Sequence, residues 1–379
     1  MSQTGPPSPQ QPPPGWGAAP PPPGWGQATP PPAWGQPQPP YPGYGWGGPP
    51  PSPKPGSIPL RPLGVGDILE GTFSVLRRYP AATLGSSVLV VGTVSLLQAL
   101  LFWPLVTSLS GVLDAAESGD PDLLVAELDA ISWAPLALAG LLIGLLSVTL
   151  FVLLAGLLSI VVGQSAIGAP LSFSQAWGRA LPRLPRLLGG AALVALLIGG
   201  LWTLVVLAWF LAAWSGSGVG YALLTLLTLL GALPLTLYLG VKVSLTTPAV
   251  ALESTADGPI SPVTGLRRSW GLVRGAWWRT LGVLLLGAVI AGALSQVIAI
   301  PAGIVVSALP LSLTAAVVAS TITAGLGQAV AQPVSGLILA MVYVDRRIRT
   351  EQLDAALARA AGVELPSQAA PPPSGQQAQ

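Results

Sequence analysis

The sequence predicts an all-α integral membrane protein with about six transmembrane helices, arranged as three repeats of an interfacial helix plus a transmembrane hairpin. Three observations predict it: long apolar runs, a scarcity of charge, and a charge distribution that alternates from one connection to the next. The 379 residues are 51% apolar and only 8% charged, with a mean hydropathy of +0.67. A soluble domain carries about a quarter charged residues to stay dispersed, so a chain this poor in charge calls for a non-aqueous solvent. The net charge of +2 and the lack of a continuous basic patch exclude nucleic acid as an expected partner.

Residues 1–57 read as a cytoplasmic tail with no packed core. Near-copies follow one another: Pro12-Pro13-Pro14-Gly15-Trp16-Gly17, Pro21-Pro22-Pro23-Gly24-Trp25-Gly26, Pro31-Pro32-Ala33-Trp34-Gly35, and a looser unit around Trp46. Proline fixes φ and removes a donor while glycine resists any single conformation, so polyproline II stretches with flexible hinges are expected. Two readings stand side by side. One is a disordered, weakly self-associating tail; the other is a ligand strip for cytoplasmic partner domains, anchored by Trp16, Trp25, Trp34 and Trp46. Met1–Pro14 has no basic n-region followed by an apolar run, so the first apolar helix is expected to act as its own insertion signal.

The apolar runs are 81–106, 133–162, 187–214, 219–245, 281–309 and 315–344. Each reaches the roughly 20 residues that cross a bilayer. Pro104, Pro234, Pro301, Pro310 and Pro333 are expected to kink or end helices, and Pro301 leaves the fifth run open to being a shorter helix plus a re-entrant piece. Within this membrane domain, residues 58–344, charge sets orientation. Lys54, Arg61, Arg77 and Arg78 precede the first run; Arg179, Arg183 and Arg186 lie in the second connection; Arg267, Arg268, Arg274 and Arg279 lie in the fourth; Arg346, Arg347, Arg349 and Arg359 follow the sixth. The first, third and fifth connections have no basic residue, and the first carries Asp114, Glu117, Asp120, Asp122, Glu127 and Asp129. The positive-inside rule makes the basic side cytoplasmic, with both termini there. Lys242 fits by snorkelling its stem toward that side. Trp103, Trp133 and Trp214 then mark the outer interface, and Trp177, Trp270, Trp277 and Trp278 the inner one.

Aligning Leu84-Gly85, Leu188-Gly189 and Leu281-Gly282 brings three upstream segments into register. Twelve residues before each Gly stands an aromatic, Phe73, Trp177 or Trp270, and nine before stands Leu76, Ala180 or Val273. These offsets share a helical stripe, with Arg77, Arg78, Arg179, Arg183, Arg267, Arg268 and Arg274 beside it. Helices with aromatics on one face and Arg on the other lie in the membrane interface. A fourth amphipathic helix, about 345–360, is expected within a C-terminal segment 345–379 that ends in a second disordered tail.

Cysteine and histidine are absent, which removes most zinc, haem and iron–sulfur sites and His-based catalysis. No phosphate-binding loop, HExxH or EF-hand pattern occurs, so neither cofactor nor metal is expected. Asp67 and Glu70 read as first-turn charges favoured by a helix dipole. Gln98, Gln164, Gln296, Gln328 and Gln332 read as interhelical hydrogen bonders, and the lack of Asp, Glu and Arg inside the runs counts against proton-coupled transport.

Two stretches resemble a known family. One is Pro59-Leu60-Arg61-Pro62-Leu63-Gly64-Val65-Gly66-Asp67-Ile68-Leu69-Glu70-Gly71, running on to Leu76-Arg77-Arg78-Tyr79-Pro80. The other is Pro248-Ala249-Val250-Ala251-Leu252-Glu253, followed by Leu266-Arg267-Arg268-Ser269-Trp270 and Trp277-Trp278-Arg279-Thr280-Leu281-Gly282. Over about residues 58–350 they resemble the bacterial glycerophosphoryl diester phosphodiesterase membrane domain, in its stand-alone actinobacterial form with a Pro-rich tail. The catalytic barrel fused to some relatives uses histidines and acidic metal ligands, so no catalytic residue carries over. The resemblance implies a membrane location and a lipid-related context. The expected function is a non-enzymatic scaffold or accessory subunit that engages cytoplasmic partners or lipids. The alternative is a transporter or lipid-handling protein with a path between the repeats.

Overall fold

The six apolar runs fold as long helices in the computed structural model, which describes residues 56–361 apart from 57, 60, 132, 217, 256 and 257. The tail tryptophans Trp16, Trp25, Trp34 and Trp46 lie outside these residues, as does the segment after 361. In chain order the helices are α1 (Val65–Arg78), α2 (Ser86–Ser118), α3 (Pro121–Ala130), α4 (Trp133–Ala166), α5 (Phe173–Ala180) and α6 (Leu184–Ser215). There follow α7 (Gly218–Leu227), α8 (Leu233–Val243), α9 (Thr246–Leu252), α10 (Pro262–Val273), α11 (Trp277–Ala308), α12 (Leu313–Glu351) and α13 (Leu353–Ala361). A two-stranded antiparallel hairpin, β1 (Ser254–Thr255) with β2 (Gly258–Pro259), pairs Ser254 with Pro259 between α9 and α10. All six long segments meet the length and composition of membrane-crossing helices, which fits a multi-pass membrane protein.

The structure decides four local points. The fifth segment is one uninterrupted helix, with Pro301 inside it. Pro234 does not break the fourth segment either: a π-helical turn at Thr228–Ala232 widens the helix just before it, and the Trp209 indole N–H donates to Thr228 Oγ1 at 3.2 Å there. The first connection is mostly helical. α2 runs on to a left-handed Gly119 (φ 71°), and Asp120 caps α3 by accepting from the Asp122 N–H at 2.9 Å. Finally, 345–351 is not the start of a separate amphipathic helix but the last turns of α12, and the break falls at Gln352, whose φ is +53°. At 39 residues α12 runs ~58 Å, enough to cross a hydrocarbon core and carry these turns beyond it.

α12 is the hub of the bundle, with its largest contacts on α11 and α2 and further ones on α1 and α4. Small residues let it sit there. A Cβ added at Gly325 would stand 2.1 Å from Ser95 Oγ of α2, and one at Gly336 would stand 2.5 Å from a Leu158 methyl of α4. One at Gly327 would stand 2.7 Å from the Ser295 backbone oxygen of α11. With lipid outside, close backbone approach supplies the van der Waals contact that water exclusion supplies in soluble proteins. The core continues downward from these contacts through Val334, Leu337, Ile338, Met341 and Tyr343, all buried, against Leu154, Leu157 and Leu158 of α4.

The hairpin of α6 with α7 and α8 is covered only at one end. Leu187 packs with Val152, Val250 and Ala251, whereas Leu204, Val206, Phe210, Trp214 and Leu230 face outward along the rest of its length. Continuous apolar surface on this scale is untenable in water and ordinary in lipid.

At Gly327 the obstacle is backbone and cannot rotate away. Gly327→Val is expected to lower stability by about 1–3 kcal/mol, the usual cost of overpacking, measured as thermal unfolding in detergent. Gly303→Ala in α11, where nothing stands within 4 Å, is expected to be neutral or slightly stabilising.

Candidate functional site: a charged joint at the arginine-rich end

At one end of the bundle the close of α12 meets the start of α11, the segment before α1 and the turn between α9 and α10. Asp345 follows the apolar run directly and is followed within about a turn by Arg346, Arg347 and Arg349, so this end of α12 carries one carboxylate among three cations.

Asp345 is 2% exposed. Its Oδ1 accepts from the Leu63 N–H at 2.9 Å and from Arg349 Nε at 2.8 Å, and its Oδ2 lies 3.4 Å from Arg279 Nη2. The two guanidiniums close the loop, because Arg279 and Arg349 donate to the Leu63 carbonyl at 2.6 and 2.8 Å. Both backbone polar groups of Leu63, in the segment before α1, are thus gripped by charged side chains. Leu63 and Ile58 are buried in the main core, and a Cβ at Gly56 would overlap the Ser165 carbonyl, so this segment is inlaid rather than draped. Arg346 donates to the Leu272 carbonyl at the end of α10 at 2.9 Å.

A second node centres on Glu253, which closes α9. Its Oε1 accepts from Arg268 Nε at 2.9 Å and from the buried Tyr343 hydroxyl, while Arg268 also bonds Glu351 at 2.9 Å. Arg347 bonds Glu351 at 2.9 Å and stands over the Tyr343 ring. Burial lowers the hold of Arg268 on its proton, but its hydrogen bonds to Glu253 and Glu351 outweigh that and raise its pKa above the ordinary arginine value. α9, α10 and α12 are cross-linked here by charge-assisted bonds, the stronger class of hydrogen bond.

A third contact splices a helix break. Between α8 and α9 the chain leaves the Lys242 carbonyl and the Leu245 N–H without helical partners. The fully buried Ser269 hydroxyl donates to the first at 2.7 Å and accepts from the second at 3.1 Å. One turn earlier Gly265 lets α10 press on Val250, whose methyl would lie 2.4 Å from an added Cβ.

The residues expected at a membrane interface fall into two groups. Arg77, Arg78, Arg179, Arg267 and Arg274 are exposed, and Trp270 is 39% exposed. Phe73 and Trp177 are half-buried; the Trp177 ring packs on Phe173, and its N–H donates to Ser86 Oγ at 3.0 Å. Arg183, half-buried, bonds the Arg179 carbonyl at 3.2 Å. Arg268 is the exception, since it is consumed by Glu253 and Glu351. Asp67 caps α1 through the Gly64 N–H at 2.8 Å and pairs with Arg61 at 3.2 Å. Sequence reasoning missed Asp345 and Glu253 as organisers. Their signal was a carboxylate at the border of an apolar run on the side where arginines gather. Among the described residues no group of three or more His, Cys, Asp or Glu could hold a metal.

Asp345→Ala would leave Arg279, Arg349 and the Leu63 N–H without their shared acceptor. Destabilisation of about 3–5 kcal/mol is expected, the cost of orphaning a buried pair, with faster hydrogen exchange at 58–64 measured by mass spectrometry. Ser269→Ala, which orphans two backbone groups, is expected to cost roughly 1–3 kcal/mol in the same unfolding assay.

Compared with known protein families, curated proteins and solved structures, the chain matches none of them.

Proposed function

We propose that this chain is a non-enzymatic scaffold or accessory subunit of a bacterial inner membrane, with the arginine-rich end and both termini in the cytoplasm. The observation that carries the reading is the grip on Leu63. The segment that leads out of the Pro/Trp tail is held by Asp345, Arg279 and Arg349 to the ends of α11 and α12. A tail that binds cytoplasmic proteins through Trp16, Trp25, Trp34 and Trp46 would thereby connect to the membrane bundle through a firmly held segment. Orientation is supported by the basic residues gathered at that end and by the acidic first connection. The threefold repeat is supported by the element order, in which α1, α5 and α10 each precede a pair of long segments. The resemblance to the glycerophosphoryl diester phosphodiesterase membrane domain supports a lipid-related setting without its chemistry.

A second reading, a lipid-handling protein or transporter, is favoured by the loosely covered second hairpin. A groove of about 520 Å³ runs between α6 and α8, lined by Ala195, Gly199, Gly240 and Val243. An apolar groove open to the membrane suits an acyl chain better than an ion.

Crosslinking in cells followed by affinity purification separates the two. The full-length chain is expected to retain specific cytoplasmic partners that a chain lacking residues 1–57 loses. Identical or empty partner sets would sink the scaffold reading, and lipid or solute flux in liposomes that survives the deletion would favour the second.

A further inference from the structure

Trp270 carries one cation over its ring and has two more within a turn of it along α10, none with an anionic partner among the described residues. Lys242 is 6% exposed, and its ammonium lies 5.4 Å from the centre of the Trp270 ring and 5.7 Å from that of Tyr238. Among the described residues it makes no ion pair or hydrogen bond through that ammonium. Two aromatic faces stabilise a cation only partly, and a lysine this enclosed ordinarily has a carboxylate beside it. On α10, Arg267 stands one turn before Trp270 and Arg274 one turn after, at the C-cap. Neither guanidinium has an ion-pair or hydrogen-bond partner among the described residues, and both are exposed. This contrasts with Arg268, Arg279, Arg346, Arg347 and Arg349 on the neighbouring surfaces, each of which is engaged.

The surroundings say what kind of anion would fit. Lys242 sits on α8, one of the least covered long segments, whose Leu233, Leu235 and Leu237 face outward. Trp278 is 79% exposed beside Trp277, which stacks on Tyr238. Three cations without an anionic partner among the described residues, and one exposed indole, Trp278, therefore border the outward-facing leucines of α8. A soluble phosphate would use the cations and ignore the strip. A phospholipid uses both, with its phosphate among the cations and an acyl chain along α8.

We infer that Lys242, Arg267 and Arg274, gathered round Trp270, form a binding site for the phosphate of an anionic phospholipid. The inference rests on the proposed placement of this end at a membrane surface, but not on the tail or its partners. Loss of partners on deleting residues 1–57 therefore says nothing about it, and its own failure leaves the scaffold reading untouched.

The test is native mass spectrometry of the full-length protein in detergent, supplied with equal amounts of phosphatidylglycerol and phosphatidylcholine. Preferential retention of phosphatidylglycerol is expected, falling about fivefold for each cation removed. Arg267→Gln with Arg274→Gln removes two exposed, unpartnered side chains, so folding is expected to survive and is checked by thermal unfolding. Lys242→Met tests the enclosed cation while keeping its apolar stem. Equal retention of the two lipids, or a preference unchanged in the Arg267→Gln/Arg274→Gln protein, would overturn the site. If excess inorganic phosphate strips the bound lipid completely, the site belongs to a soluble anion and the lipid assignment fails.

Discussion

Asp345 on α12 holds together three parts of the chain, the segment before α1, the start of α11 and the end of α12, while almost entirely removed from water. A buried carboxylate is costly unless its oxygens are occupied, and here a backbone N–H and two guanidiniums occupy them. The same guanidiniums then hold the Leu63 carbonyl, so the segment before α1, the start of α11 and the end of α12 form one closed ring of bonds. With Glu253 tying Arg268 and Tyr343 beside it, α9 and α10 are locked to the same helix end. Arginine supplies both the joint and the exposed charge at this end of the bundle. Local pairing decides which of them remain free.

The rest of the bundle follows from the need to satisfy every backbone polar group without water. Proline is carried inside α2, α11 and α12, and the π-turn before Pro234 does for the fourth long segment what a break would do in a soluble protein. Where the chain does break, between α8 and α9, a single serine hydroxyl restores both orphaned groups. α12 can reach the centre because Gly325, Gly327 and Gly336 remove the atoms that would otherwise hold its neighbours away. The sparse cover on α6 and α8 leaves that hairpin to be solvated by something apolar.

Much of this was readable in the residues themselves. Six runs without Asp, Glu or Arg can cross a bilayer by length and composition alone, since hydropathy is a sum over a window and needs no partner. Asp120, Ser172, Ser261 and Ser312 mark helix starts for an equally local reason, because a cap binds an N–H two or three residues on. The division of arginines into free and committed was not readable. Arg267 and Arg268 are neighbours in sequence, yet one faces outward and the other bonds two glutamates, one of them 83 residues away. The same holds for Leu63, an ordinary apolar residue whose backbone N–H and carbonyl are both taken by charged side chains of α11 and α12. Periodicity and composition depend on near neighbours and survive in one dimension. Which carboxylate meets which guanidinium depends on helix register and crossing, and those exist only once α10, α11 and α12 have packed.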